Sequence, residues 1–147
     1  MQETPRRSVT PVLGGVRSGK SRYAQQIVEP SCRVVFVATA RTTDEEMRRK
    51  IARHRDERPQ SWRTVEEPLQ LVDVLTRHHQ ECDAILIDCL TLFAANLLEA
   101  EDKSAGIAER SIEALCKALQ LTRCAVVLVS NEVGSGVVPP FPSGRRY

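Results

Sequence analysis

The sequence predicts a three-layer α/β domain with a mainly parallel sheet. Four short runs rich in Val and Ile are almost continuously apolar, as in strands that helices cover on both faces; these runs span residues 9–13, 33–38, 84–87 and 125–129. Helix-compatible segments separate them, and a glycine-rich loop follows the first run. Strands that alternate with helices behind such a loop are typical of this fold class, in which ligands bind beyond the carboxyl ends of the strands.

The glycine-rich loop fits the phosphate-loop pattern G-x-x-x-x-G-K-[ST] at every fixed position. In such a loop, backbone N–H groups face a polyphosphate, the lysine reaches the terminal phosphates and the hydroxyl binds Mg²⁺. A helix predicted from Lys20 to Val28 would direct its positive N-terminal end at the same phosphates. The pattern therefore predicts nucleotide binding by Gly14, Gly15, Val16, Arg17, Ser18, Gly19, Lys20 and Ser21.

Helix signals recur between the later strands. A capping box of Thr43 and Glu46 opens a helix that runs to about Arg58, directly before Pro59. Another helix starts near Pro68, a residue that suits a first turn. Two more are expected at residues 90–100 and 104–121, and the inward face of the last one would hold Ile107, Ile112, Leu115 and Leu119.

The second predicted helix carries the candidate catalytic residue, His54. Helical spacing places His54 on one face with Met47, Ile51 and Arg58. A neutral imidazole is a nucleophile toward activated phosphorus, and nearby arginines would offset phosphate charge. A helix histidine without a catalytic role is the alternative, and on spacing alone it is the more frequent one. The basic run at residues 48–58 is likewise either a solvated face or a clamp for an anionic substrate.

Further polar residues stand near the ends of the predicted strands. Asp88 directly follows the third apolar run, where a carboxylate downstream of a phosphate loop anchors Mg²⁺ or its waters; starting the next helix is the alternative. Glu66 and Glu67 could hydrogen-bond a purine edge or a ribose. Asn131 and Glu132 could sense a terminal phosphate, although a turn is equally compatible with them.

Length and composition exclude several protein classes. With 147 residues and a net charge of +2, the chain is about one domain and gives no reason to expect nucleic acid as a partner. No apolar run approaches the roughly 18 residues of a membrane span. Five cysteines without a C-x-x-C pair favour a reducing, cytoplasmic location over a disulfide framework or zinc site.

Two segments follow from this organisation: a flexible N-terminus at residues 1–8 and one nucleotide-binding domain at residues 9–147. Nothing after the fourth predicted strand closes the sheet. Either the sheet is small, or the C-terminal helix and strand of the domain are missing.

An ordered set of motifs resembles a known enzyme family. Besides the phosphate loop it comprises Ile51-Ala52-Arg53-His54-Arg55, Trp62-Arg63-Thr64-Val65-Glu66, Asp88-Cys89-Leu90-Thr91, Asn96-Leu97-Leu98 and Asn131-Glu132-Val133-Gly134. The set is similar to the bifunctional adenosylcobinamide kinase / adenosylcobinamide-phosphate guanylyltransferase family of cobalamin synthesis, whose fold resembles RecA-like phosphate-loop domains. The sequence departs from that family at Pro140, where an acidic residue is usual, and family members continue beyond Tyr147 with a helix and a strand.

The resemblance implies two reactions. ATP or GTP phosphorylates adenosylcobinamide, and a histidine that maps onto His54 then takes GMP from GTP and passes it to the phosphorylated product. It also implies Mg²⁺, held by Ser21 and Asp88 directly or through water, and a homo-oligomer. The guanine-nucleotide contacts would map onto the phosphate loop and onto Thr39, Ala40, Arg41, His54, Arg55, Asp56, Glu57, Glu66 and Asp88. The alternatives are a simple phosphate-loop small-molecule kinase and a non-catalytic or partly active GTP-binding fragment.

Overall fold

Five parallel strands form one sheet in a computed structural model, which describes residues 7–41 and 45–132 apart from the Met47 side chain. The strands are β1 (Ser8–Gly14), β2 (Val34–Ala38), β3 (Arg63–Glu66), β4 (Ala84–Asp88) and β5 (Ala125–Asn131). Their order across the sheet is β1-β5-β4-β2-β3, and all four neighbouring pairs are parallel. All carboxyl ends therefore lie at one edge of the sheet.

Helices cover both faces of this sheet. They are α1 (Lys20–Val28), α2 (Glu45–Asp56), α3 (Leu71–His78), α4 (Leu90–Glu101) and α5 (Ile107–Leu121). One core packs the side chains of α3, α4 and α5 against alternate strand residues such as Val35 and Ile85. The other core places Ala24 and Val28 of α1 against Phe36 on the opposite face. Because successive strand residues point to opposite faces, uninterrupted apolar strands serve both cores at once.

The predicted three-layer α/β class with a parallel sheet is confirmed. The four predicted strands form, and β1 begins at Ser8, one residue before the predicted start. Thr43 of the proposed capping box lies outside the described residues, and α2 ends at Asp56, just short of the predicted Arg58. β3 was not among the predicted elements.

One predicted core residue is wrong. Ile112 on α5 is 48% exposed, whereas Leu115 is buried in the core. The two side chains are three positions apart, which rotates Ile112 by about 60° around the helix axis, to the margin of the buried stripe.

Candidate active site

The phosphate loop joins β1 to α1 at the carboxyl edge of the sheet. Gly19 precedes α1 with a φ of +80°, a left-handed conformation that side-chain-bearing residues rarely adopt. A Cβ at Gly14 would collide with the hydroxyl of Ser18. The Lys20 ammonium folds back over the loop, where its Nζ donates to the Gly15 carbonyl at 3.1 Å. Gly19 therefore suits the left-handed backbone before α1, and the lack of a side chain at Gly14 leaves room for Ser18.

Ser21 and Asp88, the predicted magnesium ligands, lie together. Burial raises the pKa of Asp88 above its usual value, while a hydrogen bond with Ser21 lowers it. Lys20, His54 and Arg58 also act on this carboxyl and lower its pKa. A hydroxyl and a carboxylate are oxygen ligands of the kind that Mg²⁺ prefers, and they meet directly beside the loop that would hold the phosphates.

His54 lines the same cavity as the phosphate loop. This cavity has a volume of about 590 Å³ and is bordered by loop and α1 residues on one side and by His54 and Glu57 on the other. The His54 side chain is 71% exposed, and its Nδ1 lies 3.5 Å from Oε2 of Glu57. The arrangement brings an imidazole from α2 to the pocket in which the loop would place a triphosphate.

Thr39 connects the ends of two strands. It is fully buried, and its hydroxyl donates to the Cys89 carbonyl at 2.7 Å and accepts from the Cys89 N–H at 2.9 Å. The Thr39 N–H donates to the Asp88 carbonyl at 3.2 Å. Buried Asn96 donates from Nδ2 to the carbonyls of Thr39 and Pro68, at 2.9 and 3.0 Å. These bonds hold the chain segments on either side of Asp88.

Other predicted site residues lie apart from the cavity lining. Arg41 pairs with Glu99, with 3.1 Å between Nη1 and Oε2. Glu66 is exposed at the end of β3, and Arg55 and Asp56 are exposed on α2. Ala40 is half-buried after β2. A nucleotide contact at any of these residues, or at Thr39, stays a prediction.

Neighbouring Glu67 has a structural role instead. Its Oε2 accepts from the backbone N–H groups of Leu69 and Gln70, immediately before α3. At the end of β5, the Asn131 N–H donates to Thr91 Oγ1, and the Glu132 N–H donates to the Gly14 carbonyl. The Glu132 bond supports the first glycine of the phosphate loop.

Arg22 and Gln25 line the cavity although they were not among the predicted site residues. Gln25 lies four residues after Ser21 and three after Arg22 on α1, and because residues three and four apart share a helix face, this spacing predicts that Gln25 lies beside them. Arg58, which the sequence placed on the face of His54 and in the basic run, is only 7% exposed. Charged runs are normally solvated, so composition gave no reason to expect its burial.

The remaining histidines lie away from the cavity, as do the cysteines other than Cys89, which follows Asp88. Burial lowers the pKa of His78, and His79 accepts the Arg123 N–H through Nδ1 at 3.2 Å. All five cysteines are free thiols. Within residues 7–41 and 45–132, none of the helices has the length and apolar character that a membrane crossing requires.

Comparison with known proteins shows the family of the chain. A family model described as cobinamide kinase / cobinamide phosphate guanyltransferase matches residues 10–147. A bifunctional adenosylcobalamin biosynthesis protein (CobP) of Pseudomonas aeruginosa is 46% identical over 92% of this chain and 78% of its own length. Proteins with that description (CobU) from Salmonella typhimurium and Escherichia coli are 40% and 35% identical, over 92% of this chain and 81% of their own lengths. The chain that builds this pocket belongs to the cobinamide kinase / cobinamide phosphate guanyltransferase family.

Proposed function

We propose that the chain performs two successive transfers at one nucleotide site. It phosphorylates the aminopropanol hydroxyl of adenosylcobinamide with the γ-phosphate of ATP or GTP. It then transfers GMP from GTP to that phosphate, giving adenosylcobinamide-GDP. Family membership supports the pair of reactions, and the cavity shared by the phosphate loop and His54 is the observation that supports a covalent second step.

His54 is the nucleophile of the guanylyl transfer. A lone pair on its Nε2 forms a P–N bond to the α-phosphorus of GTP, the bond from that phosphorus to the bridging oxygen breaks, and pyrophosphate leaves with the bonding electrons. The contact between Nδ1 and Glu57 supports the choice of Nε2. A carboxylate beside Nδ1 keeps the proton there and stabilises the positive charge that the ring acquires.

The second half of the transfer releases the histidine. A phosphate oxygen of the acceptor attacks the α-phosphorus, the P–N bond breaks, and its electrons return to Nε2. Division into two partial reactions lets one cavity receive a triphosphate and a bulky corrinoid in turn.

Cationic side chains of the cavity offset the phosphate charge in both reactions. Arg17, Lys20 and Arg22 all line it, together with the N-terminal turn of α1. Preorganised charges of this kind stabilise the charge that develops at phosphoryl oxygens. The N–H groups at the start of a helix add to this effect.

Ser21 and Asp88 fit a magnesium ion, held directly or through water. Their oxygens are adjacent, and the Asp88 carboxyl is shielded from solvent beside the loop. When bound, the ion would supply charge neutralisation at the phosphates. The free cysteines support a reducing, cytoplasmic location, and the family resemblance supports a homo-oligomer.

The covalent step is tested with [α-³²P]GTP. The protein should retain label that is acid-labile and alkali-stable, as a phosphoramidate is, and His54→Ala should abolish it. The matched control is His79→Ala, which removes a histidine far from the cavity and should label like the unaltered chain.

Each outcome of that experiment has one reading. Label in the His54→Ala variant would refute His54 as the nucleophile. Transfer of the γ-phosphate without retained α-label in the unaltered chain would indicate the simple kinase. GTP binding without pyrophosphate release or γ-transfer would indicate a non-catalytic nucleotide-binding module.

A further inference from the structure

The helix that carries His54 is weakly packed. Of the α2 side chains that the structure describes, only Ile51 is half-buried, and the others are exposed. Core packing normally fixes the position and rotation of a helix, because most helical stability in proteins comes from a buried apolar face. Among its described side chains α2 has little such face, which leaves the position of His54 at the cavity dependent on contacts outside the helix.

Arg58 provides that contact, two residues beyond the end of α2. Its side chain is 7% exposed, and its Cζ lies 3.7 Å from the centroid of the Phe36 ring in the middle of β2. The Arg58 N–H also donates to the Arg55 carbonyl at 3.2 Å, so the residue is joined to the last turn of the helix. A guanidinium stacked on an aromatic face is a directional contact, since its plane fits the ring.

Arg58 is poorly suited to a purely structural role. Nε and Nη2 are buried and have no hydrogen-bond partner among the described residues. Burial and the charge of Arg55 lower the pKa of Arg58, although Asp88 and Glu66 oppose this effect. An apolar side chain of similar length would avoid the cost of burying a charged group and would be neutral or stabilising for the fold.

We propose that Arg58 is a positioning residue for His54, which it holds at the phosphate-loop cavity by fixing the end of α2 to Phe36. This inference rests on the proposed function, because it assigns Arg58 to the step in which His54 attacks the α-phosphorus. It differs from a role in nucleotide binding, since the two buried guanidinium nitrogens are covered by protein and the loop cavity is lined by other residues.

The test compares Arg58→Met and Arg58→Lys with the full chain. Methionine keeps length and apolar contact, and lysine keeps the charge but has no planar group to stack. Arg77→Met is the matched control, because Arg77 is exposed on α3. For each protein we would measure the single-turnover rate of labelling by [α-³²P]GTP, the Kd for GTP and the Tm.

Both Arg58 variants should label about 10- to 100-fold more slowly, because a small displacement of a catalytic group costs that much. Their Kd for GTP should stay within about threefold, and the Tm of Arg58→Met should not fall. The Arg77→Met control should match the unaltered chain in all three quantities.

Three results would overturn the inference. Labelling of Arg58→Met at the unaltered rate would show that His54 needs no such anchor. Labelling of Arg58→Lys at the unaltered rate would show that only the positive charge of this side chain matters. A rate loss that parallels loss of Tm or of GTP binding would assign Arg58 to folding or to the ligand. If the unaltered chain itself takes no label, the proposed function fails first, which separates the two cases.

Discussion

At the residue scale, the Asp88 carboxyl has opposite consequences for folding and for catalysis. It is shielded from solvent at the end of β4, and its burial raises its pKa. As the proposed magnesium ligand Asp88 must be ionised, so the form that the proposed function needs is the one that the folded chain disfavours. Such a conflict between local stability and activity is typical of functional sites.

Asp88→Asn should therefore lower activity and raise stability. We expect both transfers to fall about 100-fold or more, because a bound divalent ion supplies several kcal/mol of charge stabilisation. The free energy of unfolding without nucleotide should rise at neutral pH. Activity assays and urea denaturation measure the two effects, with exposed Glu113→Gln as the control that changes neither.

The pH dependence of that stability gain has a definite sign. The folded-state pKa of Asp88 is raised above the unfolded value of about 3.9, so ionisation weakens the fold. This destabilisation is absent below the unfolded pKa and complete above the folded one. The gain of Asp88→Asn should thus be largest at neutral pH and vanish in acid; a less stable variant at neutral pH would contradict the account.

At the scale of elements, Thr39 ties the end of β2 to the chain that leaves β4. Its hydroxyl satisfies both polar backbone groups of Cys89, the residue that precedes α4. Asn96 on α4 completes the link by binding the Thr39 carbonyl. Strand ends that carry site residues are thus held by side-chain hydrogen bonds as well as by the sheet.

Thr39→Val should destabilise the chain by about 1–3 kcal/mol, because it removes the hydroxyl that pairs with the half-buried N–H of Cys89 and one of the two donors to the Cys89 carbonyl, which still accepts from the Phe93 N–H. Thr39→Ser retains the hydroxyl, so its free energy of unfolding should fall clearly less. Thr76→Val, which removes an exposed hydroxyl bonded to Val72 within α3, is the matched control. Chemical denaturation measures the free energy of unfolding of each variant. Equal losses for Thr39→Val and Thr76→Val would show that the Thr39 hydrogen bonds stabilise the fold no more than an exposed one.

Elements with a strong internal pattern were predictable, and an element that depends on its neighbours was not. β2, β4 and β5 are buried apolar runs, and α1 follows directly from the loop pattern. β3 has only four residues, two of them charged, and is never fully buried. It forms because its backbone pairs with residues Val35 to Ala38 of β2. This pairing depends on the tertiary fold and cannot be inferred from the composition of β3.

At the scale of the whole molecule, the parallel sheet collects the site at one edge. The phosphate loop follows β1, Thr39 follows β2, and Asp88 ends β4. The positions of the loop and Asp88 were predictable because each follows a strand signal, and the role proposed for His54 comes from the order of the motifs. The burial of Arg58 was not predictable, because it depends on the position of the Phe36 ring beneath it.

If both reactions use one nucleotide site, a change in the phosphate loop should impair both activities, whereas loss of His54 should impair only GMP transfer. Lys20→Met should lower both γ-phosphate transfer and GMP transfer about 100-fold, because both need the charge in the loop. His54→Ala should abolish GMP transfer and leave γ-phosphate transfer within about threefold, since no P–N bond is needed there. Parallel assays of the two products measure this, and equal loss of both activities in a well-folded His54→Ala protein would contradict a separate role for the histidine.

The most direct measurement is the location of the covalent adduct. The chain is incubated with GTP and Mg²⁺, digested at alkaline pH, and the modified peptide is identified by mass spectrometry. We predict one GMP attached to His54, in a peptide from the last turn of α2. An adduct on any other residue would contradict a covalent role of His54. So would a protein that turns over fully with the acceptor present but forms no adduct when the acceptor is left out.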